Sequence, residues 1–88
     1  MNKENNTSVL VVGAGSIGNH LSNACRSIGW DVSIYDIDEN ALDRTKNTIY
    51  PMRYGKWDKK INLLKTIPSQ NNYDVVIQRF SILLLLVL

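Results

Sequence analysis

Residues 9–12 (VLVV) form an unbroken β-branched and aliphatic run, the pattern of a strand covered on both faces in a parallel sheet. The run stops at Gly13. Beyond it Ile17, Leu21, Ala24, Cys25 and Ile28 fall at offsets 0, 4, 7, 8 and 11, one stripe of an α-helix that opens near Ser16 and that Gly29 is placed to close. Residues 31–36 (DVSIYD) alternate Val32 and Ile34 with polar neighbours and predict a second strand. Asp38 followed by Glu39 predicts a helix start, because Asp caps free backbone N–H groups and acids suit the positive end of the helix dipole. That helix is expected to end near residue 45 or 46. Residues 47–56 (NTIYPMRYGK) carry Pro51 and Gly55 and read as loop. Trp57, Ile61, Leu64 and Ile67, at offsets 0, 4, 7 and 10, predict a further helix capped by Asp58 and stopped by Pro68. After a turn at 69–72, residues 73–77 (YDVVI) read as another strand.

Strands alternating with helices give an α/β protein, and at 88 residues it is one small domain at most. Two ends stand apart. Residues 1–7 are polar and read as a frayed terminus, while 80–88 (FSILLLLVL) is an apolar tract. A bilayer span needs about 20 apolar residues, so this tract cannot cross a membrane by itself. It reads either as a final buried strand or helix, or as a segment foreign to the fold. We therefore divide the chain into an α/β unit at 1–77 and an atypical tail at 78–88.

Charge excludes one class of partner. Ten Lys and Arg against eight Asp and Glu leave a net charge of +2, far from the basic excess of a nucleic-acid protein. The local cluster Arg53, Lys56, Lys59, Lys60 and Lys65 reads as a solvated face rather than a phosphate patch. The single cysteine, Cys25, has no partner for a disulfide or a CxxC site, and no signal-peptide core follows the N-terminus, so a cytoplasmic location is expected. No metal-ligand spacing is present. His20 and Cys25 lack the neighbours that catalysis requires and read as surface and core residues.

The chemistry lies in the glycines. Gly13-Ala14-Gly15-Ser16-Ile17-Gly18 is a GxGxxG placed between a predicted strand and a predicted helix. Gly13 permits the tight turn, Gly15 lets backbone approach a pyrophosphate, and Gly18 lets the helix pack closely on the strands. The free N–H groups of the helix start then face the phosphate charge. Asp36 stands 18 residues after Gly18 at the end of the second strand, placed to accept hydrogen bonds from the adenosine ribose and to repel a 2′-phosphate. Neither Ile37 nor Asp38 supplies an arginine for such a phosphate, so the expected cofactor is NAD, with NADP less favoured. The fold expected is a partial Rossmann fold, a parallel sheet with flanking helices whose second half is incomplete.

The stretches VLVVGAGSIGNH and GWDVSIYDIDENAL resemble the nucleotide-binding domain of the glucose-fructose oxidoreductase and inositol dehydrogenase family (Gfo/Idh/MocA) over about residues 8–77. The resemblance implies an NAD- or NADP-dependent oxidoreductase acting on sugars or polyols. It places Gly13, Gly15, Ser16, Ile17 and Gly18 around the pyrophosphate and Asp36 and Ile37 at the adenosine. After Ile77 the pattern breaks, for the family's nicotinamide loop, Glu-Lys-Pro segment and catalytic Lys and His have no counterpart here. The expectation is a cofactor-binding fragment without its catalytic domain, truncated or frame-shifted near residue 78. The alternatives are a non-enzymatic nucleotide-sensing module and a degenerate fragment without function.

Overall fold

The computed structural model describes residues 6–78; both readings of the apolar tract fall outside them. Four strands, β1 (Ser8–Val12), β2 (Asp31–Tyr35), β3 (Asn62–Leu64) and β4 (Val75–Gln78), form one parallel sheet in the order β3-β2-β1-β4. This is the half-Rossmann arrangement expected from the alternation of elements. β1 lies inside the sheet, with Val9, Leu10 and Val11 essentially without exposure, which is why its sequence is apolar at successive positions.

Helix α1 (Ser16–Ser27) follows β1, and its end is satisfied as Gly29 predicts, by N–H donation from Gly29 to Arg26 and from Trp30 to Cys25. Asp38 caps α2 (Glu39–Arg44) by accepting from the N–H of Asn40. The chain does not leave the helix near residue 46. It widens into a π turn (Thr45–Ile49) and continues as α3 (Tyr50–Tyr54) until Gly55, at φ +94°, ends it. Pro51 is accommodated because it falls in the first turn of α3, where its missing donor costs little.

Two further expectations are corrected. No helix forms over 57–67; β3 lies there, hydrogen-bonded along β2. The apparent helical spacing arises from residues buried for separate reasons. Trp57 stacks edge-on against Tyr50 at 5.2 Å, Ile61 enters the core, and Ile67 is exposed. Asp58 instead accepts from the N–H of Lys60 and pairs with Arg26 at 2.9 Å.

The second correction concerns α1. Its buried residues are Asn19, Ser22 and Cys25, while Ile17, Ala24 and Ile28 are exposed and Leu21 is half-buried. Small side chains face the sheet because the helix lies too close to it for large ones. The core is formed by Val9, Val11, Val32 and Ile34 from the strands with Ala14, Cys25, Ala41, Leu42, Tyr50 and Ile61.

Candidate cofactor cleft

Parallel register brings three strand ends to one edge. Val12 pairs with Tyr35 on one side and with Gln78 on the other, one residue beyond the strand end expected from sequence. The glycine loop leaves β1 at this edge, the place where open α/β sheets bind ligands. Gly13 turns there at φ +115°, donating its N–H to the Tyr35 carbonyl at 2.8 Å.

The loop is held by side chains from three elements. Asp36, just past β2, accepts from the Ala14 N–H at 2.8 Å through Oδ2 and from the Asp38 N–H at 2.8 Å through Oδ1. The Thr45 hydroxyl donates to the Ala14 carbonyl at 3.0 Å. Asn19 Nδ2 donates to the Gly15 carbonyl at 2.8 Å and lies 3.0 Å from the Thr45 hydroxyl. Ala14, between the first two glycines, is thereby fixed at both its N–H and its carbonyl. The Asn19 Oδ1 is buried without a hydrogen-bond partner among the described residues. Its amide orientation nonetheless follows from the Ala14 and Gly15 carbonyls, which face the Nδ2 group.

Gly18 and Gly15 do opposite jobs. A Cβ at Gly18 would overlap the Gly13 carbonyl oxygen and touch Val11 Cγ1 at 3.4 Å, so α1 sits on the loop with no room to spare. A Cβ at Gly15 would meet nothing within 4 Å. The space over Gly15 belongs to a cleft of about 410 Å³ lined by Gly13, Gly15, Ser16, Ile17, Gly18 and Asp36 with Val12, Leu21 and Ile77.

This cleft suits a pyrophosphate and a ribose. The first N–H groups of α1 have no carbonyl a turn earlier, and Gly15 at the cap position offers no side chain to satisfy them. No acid stands in the first turn to balance the positive end of the dipole. Asp36 keeps spare lone pairs, since a carboxylate has about four acceptor sites and two are used by the backbone. Six of the seven expected binding residues thus meet at one cleft. Ile37 does not line it and is 85% exposed.

Sequence reasoning missed Asn19, Thr45 and Arg53. The signal for Asn19 was available in Gly18: a glycine pressed on the sheet orients the helix by contact rather than by hydrophobicity, and Ser22, donating to the Gly18 carbonyl, lies on the same side. Thr45 carried no such signal, because only the π turn aims it at the loop. Arg53, on α3, donates through Nη1 and Nη2 to Ser16 at the start of α1.

His20 and Cys25 stand outside the cleft. His20 is exposed and does not line it. Burial pushes the Cys25 thiol up, which suits a core residue and not a nucleophile. Among the described residues there is no cluster of metal-ligating side chains, and no helix is long and apolar enough to cross a membrane.

Among known proteins, the family model described as 3-hydroxyacyl-CoA dehydrogenase, NAD binding domain, matches residues 8–81. No curated protein and no solved structure matches the chain. The resemblance to sugar and polyol oxidoreductases thus holds for an NAD-binding domain of an oxidoreductase, while the family matched is a different one. The glycine loop on which that resemblance leaned is common to many such domains.

Proposed function

The chain belongs to the family of 3-hydroxyacyl-CoA dehydrogenase NAD binding domains, and from that premise we propose a division of labour within its cleft. Gly13, Gly15, Ser16, Ile17 and Gly18 surround the pyrophosphate of NAD. Asp36 takes the adenosine ribose hydroxyls, and Ile37 flanks the adenosine. Bound there, NAD supplies a hydride acceptor for oxidation of a secondary alcohol to a ketone. That reaction type is common to hydroxyacyl and polyol oxidation, and family membership favours a 3-hydroxyacyl thioester over a sugar or polyol.

The described residues hold the cofactor and do no chemistry of their own. Hydride transfer needs the alcohol and a proton acceptor within hydrogen-bond reach of each other. Neither His20 nor Cys25 lines the cleft, and neither is assigned to the substrate or its proton. A nucleotide-sensing module would use the same cleft, but membership in a dehydrogenase family favours the enzyme reading. The lone thiol of Cys25 suits the reducing cytoplasm.

The observation that carries this reading is the open space over Gly15 beside unsatisfied N–H groups and Asp36. It yields a test that separates binding from folding. Gly15 has φ −87°, which any L-residue adopts, and its Cβ would touch no protein atom. Gly15→Val is therefore expected to stay folded, losing at most about 1 kcal/mol from the poorer N-cap, yet bind NAD at least about 10-fold more weakly by calorimetry, the side chain occupying pyrophosphate space. Equal NAD affinity in the two proteins would overturn the assignment.

A further inference from the structure

A cation stands beside the cleft without lining it, joined to it through Ser16. Arg53 is an exposed residue on α3, yet its guanidinium is drawn back onto Ser16, with Nη1 3.0 Å from the carbonyl and Nη2 2.7 Å from the hydroxyl. Ser16 is the first residue of α1 and lines the cleft. A cation at a helix N-terminus is unfavourable, because the dipole there is already positive. No carboxylate among the described residues relieves it, the ion pairs being Arg26–Asp58, Arg44–Asp38 and Lys65–Glu39. The first turn of α1 contains no acid either.

We propose that Arg53, at the margin of this cleft, is a phosphate-binding residue, supplying its guanidinium, together with the Ser16 hydroxyl, to the pyrophosphate of the dinucleotide. The inference rests on the cleft being an NAD site. A guanidinium has five N–H donors, and the two bonds to Ser16 leave three free for phosphate oxygens. The planar fork also matches phosphate geometry in a way that an ammonium does not. An anion in the cleft would turn the misplaced charge into a favourable one, since cation, dipole and free N–H groups would then all face the same negative group. The role of Arg53 is thus distinct from that of Asp36, which serves the ribose.

The two roles are separable by ligand. Calorimetry on the full chain with NAD, ADP-ribose and adenosine compares wild type with Arg53→Gln, Arg53→Lys and Asp36→Asn. Arg53→Gln is expected to weaken NAD and ADP-ribose by about 10- to 100-fold, the scale of a charge-assisted hydrogen bond, with adenosine unchanged. It should also reduce the salt dependence of NAD binding, while Arg53→Lys loses less affinity and keeps that dependence. Asp36→Asn should weaken all three ligands. If Arg53→Gln binds NAD as wild type does, or loses adenosine to the same degree, the proposal fails while the NAD reading stands. Should the Gln variant not fold, Arg53→Lys decides, and unaltered affinity for ADP-ribose in that variant sinks the proposal. Wild-type protein that binds none of the three would overturn both readings.

Discussion

Thr45→Val removes one hydroxyl and keeps the shape of a side chain that has no exposure at all. The hydroxyl donates to the Ala14 carbonyl at 3.0 Å and accepts from Asn19 Nδ2 at 3.0 Å. Once it is gone, the Ala14 carbonyl still lies 3.3 Å from Asn19 Nδ2, and that amide still donates to Gly15 at 2.8 Å. No group is stripped of every partner, so the full cost of an orphaned buried dipole does not arise. The loss is two neutral hydrogen bonds, together about 2 kcal/mol. Thr and Val differ little in helix propensity, and that contribution cancels. For a domain of this size the melting temperature should fall by about 8–16 °C. The loop should also spend less time in its binding conformation, weakening NAD in proportion. Far-UV circular dichroism melts and NAD calorimetry measure both effects. Thr45→Ser, which keeps the hydroxyl and loses a methyl group, should melt above Thr45→Val. Melting of Thr45→Val with wild type, or of Thr45→Ser below it, would refute the view that this hydroxyl holds the loop.

Gly18→Ala should destabilise by about 1–2 kcal/mol in urea unfolding, because overpacking against the Gly13 carbonyl outweighs the usual gain of alanine in a helix. A variant at least as stable as wild type would show that α1 is not pressed on the loop. At low pH the Arg26–Asp58 pair should limit stability. Burial alone would raise the Asp58 carboxyl, but the Lys60 N–H and the Arg26 guanidinium together hold it below its usual value. A carboxyl lowered in the folded state contributes stability that is fully present above its unfolded pKa and is lost as pH falls through the folded one. Asp58→Asn should therefore be less stable at neutral pH and show a shallower acid decline below about pH 4. Parallel acid limbs in the two proteins would contradict this.

The elements read correctly from sequence were those determined by local chemistry. Val9 to Val12 are apolar at every position because the strand is internal, and Gly13 stops it because the backbone there adopts φ +115°. Asp38 caps a helix whatever packs against it. The misread elements were determined by contacts distant in sequence. Ile61 and Leu64 look helical with Trp57, yet Ile61 joins the core and Leu64 pairs with Tyr35 on β2. On α1, hydrophobicity selected Ile17, Leu21, Ala24, Cys25 and Ile28, of which only Cys25 is buried, whereas the close approach at Gly18 buries Asn19 and Ser22 beside it. Ile17 and Leu21 belong to the cleft wall, so their apolar character reports the site rather than the core.

Asp36 shows why the acid of the dinucleotide pattern is an ambiguous sign even when read correctly. Its carboxylate ties the Ala14 N–H of the loop to the Asp38 N–H of the next turn, and that task exists without any ligand. An acid at this distance from the glycines is thus needed to shape the loop as well as to receive a ribose. Loss of NAD binding on replacing Asp36 would follow from either role, so affinity for NAD alone cannot distinguish them. Gly15 has no such double duty, since its missing side chain touches nothing in the protein and leaves space only for something else. The second glycine, more than the terminal acid, is where the sequence speaks about the cofactor and not about the fold.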